Sequence, residues 1–106
     1  MDNDNKDRER IDVHQPTFNL VSFQIQDYEL TKLALDGAEK LGMSLDDIDT
    51  LVSSIKSEHF YKSMSSTKHE KIWQDVYRVP YEGKIIYLKI STGLEKPFII
   101  VQIKEK

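Results

Sequence analysis

Three runs in the second half of the chain constrain its fold more than any other feature. They are IWQDVYRV at 72–79, KIIYLKIS at 84–91 and PFIIVQIK at 97–104, each dense in β-branched and aromatic residues. Between them stand only Pro80-Tyr81-Glu82-Gly83 and a short segment opening with a Thr92-Gly93 turn. Runs of this length bounded by Gly and Pro read as strands. Connections this short join antiparallel neighbours, because a parallel return needs a crossover of a dozen residues or more. The expectation is an antiparallel meander, and a sheet of that kind needs cover on one face.

The first half supplies the cover. Thr31 opens TKLALDGAEKLG, with Leu33, Ala34, Ala38 and Leu41 on one broad stripe, and Gly42 stands where a helix ends in a left-handed residue. Ser44 caps a second helix. Asp46 and Asp47 fall in its first turn, where carboxylates meet the positive end of the dipole, and Leu45, Ile48, Leu51, Val52 and Ile55 form its apolar face. Upstream, Phe18, Leu20, Val21, Phe23 and Ile25 fit neither period, so a short helix capped by Thr17 and a strand both remain open. Residues 1–15 hold charges and amides without apolar periodicity, and nothing there offsets the entropy of ordering a backbone. The reading is therefore a disordered arm over 1–15 and a single domain over 16–106. Its class is α+β, with N-terminal helices packed on one face of a C-terminal antiparallel sheet.

Composition narrows the function classes. No apolar run approaches the roughly 20 residues that span a bilayer. The opening MDNDNKDRER is polar where a secretory signal is basic and then apolar. The chain has no cysteine, hence no disulfide framework, thiolate nucleophile or cysteine zinc site, and a reducing cytoplasm is the natural expectation. His14, His59 and His69 lack partners at metal-binding spacing, and no glycine-rich phosphate loop is present, so neither metal nor cofactor is expected.

A net charge of −3 argues weakly against a nucleic-acid partner, but the charge is unevenly spread. Residues 1–56 carry six basic and twelve acidic side chains, a net of −6; residues 57–106 carry nine and six, a net of +3. Alternation then sorts the strands into faces. Ile86, Leu88 and Ile90 share one face of the second run, and Ile99, Val101 and Ile103 share one face of the third. With those sets turned to the helices, Tyr87, Lys89, Gln102 and Lys104 project from the opposite face of two neighbouring strands. Ammonium groups attract phosphate and tyrosine stacks on bases, although lysine and glutamine are also what any solvated sheet face carries. In the first run, Ile72, Gln74, Val76 and Arg78 compete with Trp73, Asp75, Tyr77 and Val79 for the inward side, and alternation does not choose.

FYKSM at 60–64, IWQDVYR at 72–78, YLKI at 87–90 and KEK at 104–106 occur in order. This set resembles the MqsR family, the motility quorum-sensing regulator toxins of bacterial toxin–antitoxin pairs. The spacing agrees without a gap from FYKSM through YLKI, and the last strand carries a small insertion around 93–96. The resemblance covers about residues 17–106, most loosely before Thr31, and favours the helix over 17–25. It implies a RelE-like fold, a metal-independent endoribonuclease cutting mRNA preferentially at GCU-type triplets, and an MqsA-like antitoxin partner that contains zinc and binds DNA. Operator DNA would then be met only through the antitoxin complex.

The family's active residues correspond to Lys62, Gln74, Tyr87 and Lys104, all present. Tyr61, Arg78, Lys89 and Gln102 are the RNA-contact candidates around them. The chemistry implied is attack of a ribose 2′-hydroxyl on the adjacent phosphate. Lys62 and Lys104 would serve as phosphate clamp or base, Tyr87 as proton donor or orienter, and Gln74 as positioner. Lysine and tyrosine, with ordinary pKa values near 10, are poor bases at neutral pH without help from their surroundings. The alternative is a module of this family that binds RNA or antitoxin without turnover. The acidic first half departs from a family whose members are typically basic.

Overall fold

The computed structural model describes residues 12–65 and 72–106. Its elements run β1 (Asp12–Val13), α1 (Leu20–Ile25), β2 (Tyr28–Leu30), α2 (Lys32–Lys40), α3 (Leu45–Ser54), a 3-10 turn (Ser57–His59), β3 (Phe60–Ser65), β4 (Trp73–Tyr81), β5 (Lys84–Thr92) and β6 (Phe98–Glu105). All six strands belong to one sheet, ordered β1-β3-β4-β5-β6-β2. The α+β class and the β4-β5-β6 meander stand as read from the sequence.

The β4–β5 hairpin is closed by Glu82 and Gly83, with φ of 49° and 79°. Positive φ at both central positions is the twist-matched geometry for a two-residue turn. That turn fixes the register: Tyr81 opposite Lys84, Val79 opposite Ile86, Tyr77 opposite Leu88. Tyr77, Val79, Ile86, Leu88 and Ile90 therefore share the closed face and join Phe23, Ala34, Ala38, Ile48, Leu51, Val52 and Ile55 from the helices in one core. Alternation had left β4 undecided, and the hairpin register decides it for Asp75, Tyr77 and Val79.

Helix α3 starts on a capping box, Ser44 Oγ accepting from the Asp47 N–H at 3.1 Å and Asp47 Oδ2 from the Ser44 N–H at 2.8 Å. Helix α2 starts on Thr31, whose hydroxyl accepts from the Ala34 N–H, and ends before Gly42 at φ 72°. Gly37 lets α2 lie directly on β6: a Cβ there would stand 1.8 Å from the Ile103 carbonyl oxygen.

Several expectations are corrected. The arm gives way at its end, where Asp12 and Val13 pair antiparallel with Met64 and Ser63; residues 1–11 of it lie outside the described residues, as does His69. Residues 17–25 do hold a helix, but Asn19 caps it, not Thr17. Thr17 is otherwise engaged: its N–H and that of Phe18 donate to the two oxygens of Asp75 at 3.0 and 2.9 Å, and its hydroxyl meets Ser63 Oγ at 2.7 Å. The sheet is not wholly antiparallel, because β2 pairs parallel to β6. FYKSMS forms strand β3, which the sequence reading did not assign. Leu33 and Leu45 leave their expected apolar faces for solvent.

The inward set of β6 is also different. Lys89 pairs with Gln102 while Ile90 pairs with Ile100, leaving Val101 as an extra residue. This bulge turns Phe98 and Ile100 into the core while Ile103 stays inward beyond it. Ile99 and Val101, expected inside, are only half-buried. The carbonyls on either side of the kink are held by Thr31, whose N–H donates to Ile100 O and whose hydroxyl donates to Val101 O.

Candidate nucleic-acid interface

The face of the sheet turned away from the helices is built in cross-strand rows. Arg78, Tyr87 and Lys104 stand side by side on β4, β5 and β6. In the next row, Lys62, Val76, Lys89 and Gln102 cross from β3 to β6. Gln74 lies beyond, opposite Met64. Lys62, Arg78, Lys89 and Lys104 alternate onto this face, and Asp75 alternates away from it.

Tyr61 arrives by a second bulge. Phe60 pairs with Tyr77 and Lys62 with Val76, leaving Tyr61 the unpaired extra residue. Phe60 stays inside, its ring centroid 5.6 Å from that of Tyr77. Tyr61 is thrown to the open side, as a bulge re-aims a side chain. There the Arg78 guanidinium carbon lies 3.8 Å from its ring centroid, Lys62 Nζ 5.4 Å from it, and the Tyr87 ring 6.4 Å away edge-on. Lys104 Nζ sits 5.2 Å from the Tyr87 ring centroid. Cation–ring contacts of this length are attractive, and they hold long side chains in place.

All eight sequence-derived candidates share this face, but they do not form one cluster. Neighbouring strands lie about 4.8 Å apart and successive rows about 6.6 Å, which puts the backbones of Lys62 and Lys104, three strands and one row apart, roughly 16 Å from each other. Gln74 stands four residues along β4 from Arg78, the partner of Tyr87, or roughly 13 Å. The compact group is Tyr61, Arg78, Tyr87 and Lys104, with Lys62 on its flank and Gln74 at its margin. The sequence reading gave Tyr61 and Arg78 supporting places, whereas the structure puts Tyr61 at the centre. The Glu82-Gly83 turn held the signal for Arg78, since counting back from it sets Arg78 opposite Tyr87. Nothing in the sequence marks the Tyr61 bulge.

Among the described residues no three His, Cys, Asp or Glu side chains converge as a metal site, and no helix is long and apolar enough to cross a membrane. His59 spends its Nδ1 accepting the Lys56 N–H at 3.0 Å. Asp75, although next to Gln74, points to the closed face, where it is 0% exposed and occupied by Thr17 and Phe18.

Fold and face together define a small α+β protein with one side of its sheet packed by helices and the other carrying clustered cations and tyrosines. The chain matches the model of the family described as "Motility quorum-sensing regulator, toxin of MqsA" over residues 15–105, and it belongs to that family. It is also 37% identical over 76 residues to a protein of Escherichia coli (strain K12) named "mRNA interferase toxin MqsR", covering 72% of this chain and 76% of that relative.

Proposed function

We propose that this chain is the toxin of a type II toxin–antitoxin pair and acts as an endoribonuclease on mRNA, with GCU-type triplets preferred. The observation that carries the reading is the Tyr61–Arg78–Tyr87–Lys104 group of cations and phenols on the sheet face opposite the helices. Family membership and the mRNA interferase name of the Escherichia coli relative support it.

The reaction is attack of a ribose 2′-oxygen on the adjacent phosphorus, with the 5′-oxygen of the next nucleotide leaving. A 2′,3′-cyclic phosphate and a 5′-hydroxyl result. The 2′-hydroxyl loses a proton and the leaving oxygen gains one, so the site must accept and donate. Lys104 and Tyr87, directly opposite each other, are suited to one phosphate: the ammonium stabilises charge building on its oxygens, and the phenol donates to or orients an oxygen. Lys62 meets the same phosphate or the next one from the other flank. Tyr61 and Arg78 offer a stacking platform, and Lys89 and Gln102 hold the backbone between. Gln74 positions the chain at the margin. The partner is an MqsA-like antitoxin, which would carry any contact with operator DNA.

Purified protein incubated with an mRNA in EDTA tests the whole reading. Wild type should cut, and Lys62→Ala and Tyr87→Ala should each slow cutting by about a hundredfold. Intact RNA with folded wild type overturns the nuclease; undiminished cutting by both variants overturns the site.

A further inference from the structure

Lys104 reaches the open face only because β6 carries one residue more than its partner. Before the kink, Phe98, Ile99 and Ile100 stand opposite Thr92, Ser91 and Ile90; beyond it, Gln102, Ile103 and Lys104 stand opposite Lys89, Leu88 and Tyr87. Carried on past Ile100, the first register would set Ile103 against Tyr87 and Lys104 against Ile86, a core residue. A slip of one residue exchanges the two faces of a strand. The extra Val101 therefore decides that a lysine, and not an isoleucine, lies 5.2 Å from the Tyr87 ring centroid.

A bulge disrupts its ladder locally, so its freed backbone groups need other partners. Thr31, between β2 and α2, supplies them. Its N–H donates to Ile100 O at 3.2 Å, and its hydroxyl donates to Val101 O at 2.6 Å while accepting the Ala34 N–H at 3.0 Å. A hydroxyl has one proton and two lone pairs, so capping α2 uses a lone pair and leaves the proton for the bulge. Two turns along the same helix, Gly37 closes on the Ile103 carbonyl, where a Cβ would stand 1.8 Å from the oxygen. Helix α2 thus grips β6 on both sides of its extra residue. We propose that Thr31 is a positioning residue for RNA cleavage: its hydroxyl proton fixes the β6 bulge and, through it, the place of Lys104 over Tyr87. The inference rests on the reading of the open face as a nuclease site. Thr31 acts through the strand and not on the RNA, and a reacting group set about 1 Å wrong is enough to cost about a hundredfold in rate.

Three variants separate the proton from the cap. Thr31→Ser donates and caps; Thr31→Asp caps but has no proton to give; Thr31→Val, nearly the shape of threonine and without added charge, does neither. Two measurements are made on each and on wild type. The first needs no RNA: NMR detects the NOE contact between the Lys104 methylenes and the Tyr87 ring, and the rest of the spectrum reports whether the variant is folded. The second is single-turnover cleavage of an mRNA fragment in EDTA, read as the rate at saturating protein and the half-saturating concentration. Thr31→Ser should keep the contact and cut within about threefold of wild type. Thr31→Asp and Thr31→Val should both lose the contact and cut at least about tenfold more slowly at saturation, with half-saturation moved by less than about threefold. A contact kept in either of these two when folded overturns the inference, as does its loss in Thr31→Ser. Wild type that cuts, with folded Thr31→Asp cutting equally fast after losing the contact, overturns this inference alone. Wild type that does not cut overturns the nuclease, while the NOE pattern across the three variants still decides whether Thr31 places Lys104.

Discussion

The same four strands, β3 to β6, present two faces of opposite character, and the contrast is sharpest between two tyrosines. Tyr77 on β4 looks into the helical layer, where burial, aided by the nearby Asp75 charge, pushes its phenol up to about 12. Tyr87 on β5 looks the other way, half-buried, with Lys104 over its ring and Tyr61 at its edge. On the closed face the core is built mainly of aliphatic and aromatic side chains, with Asp75 held by the Thr17 and Phe18 N–H groups, and apolar packing does the stabilising. On the open face Lys62, Arg78 and Lys104 lie over the rings of Tyr61 and Tyr87, contacts that hold positive charge on that surface. One set of strands thus separates a packed core from a cationic, aromatic face, by strand parity together with the bulges at Tyr61 and Val101.

That separation predicts opposite phenotypes for neighbours. Leu88→Ala, on the closed face beside Tyr87, should cost about 3 kcal/mol in chemical denaturation, with cleavage per folded molecule unchanged. Lys104→Ala should cost no more than about 0.5 kcal/mol of stability and should slow RNA cleavage about a hundredfold. A large stability loss in Lys104→Ala with full residual activity would break the comparison outright.

Asp75 tests the boundary more finely, because it adjoins Gln74 in sequence but faces inward. Its two oxygens take the Thr17 and Phe18 N–H groups, which dock the entry to α1 against β4. Asp75→Asn keeps the shape but replaces one acceptor with a donor facing an N–H. A loss of about 2 kcal/mol is expected, read by urea denaturation, with exchange protection lost first at Phe18 and Phe23. If the variant keeps its stability but loses RNA cleavage, Asp75 belongs to the open-face chemistry and the division by parity fails there.

The closed face was largely legible in the sequence, and the open face less so, for a physical reason. Hydrophobic periodicity names Ile86, Leu88 and Ile90 as inward because a large aliphatic group has one sensible place to go. Helices α2 and α3 were legible through Thr31, Gly42 and the Ser44 cap, whose chemistry is local. What escaped were long-range events. The bulges at Tyr61 and Val101 depend on partner strands, the parallel β2 pairs with a strand some 70 residues away, and Asp75 claims Thr17, which a local reading makes a cap. The candidate site was legible as residue types through the resemblance and the parity of β5 and β6. Its arrangement around Tyr61 was not, because a bulge reverses parity without leaving a mark in composition.

The rim that joins the two faces supplies the smallest test. Glu29 on β2 has one carboxylate oxygen accepting three consecutive backbone N–H groups, those of Leu94, Glu95 and Lys96, at 2.7, 2.7 and 2.9 Å. Those hydrogen bonds, led by Lys96 and Glu95, hold its carboxyl below the ordinary carboxylate value. The charged form is the one the fold favours. Its contribution is therefore complete above about pH 4.3, the unfolded value, and is lost as pH falls through the lower folded value. Hydrogen exchange at Leu94, Glu95 and Lys96 should quicken in that acid range while the Leu88 amide stays protected, and Glu29→Gln should show the quickened exchange already at neutral pH. Gly93, at the start of that loop, packs so closely that a Cβ would stand 2.8 Å from the same Glu29 oxygen. Exchange at the loop that ignores both pH and Glu29→Gln would mean that this tight packing, rather than the carboxylate, fixes the rim. The two faces would then be joined by shape alone.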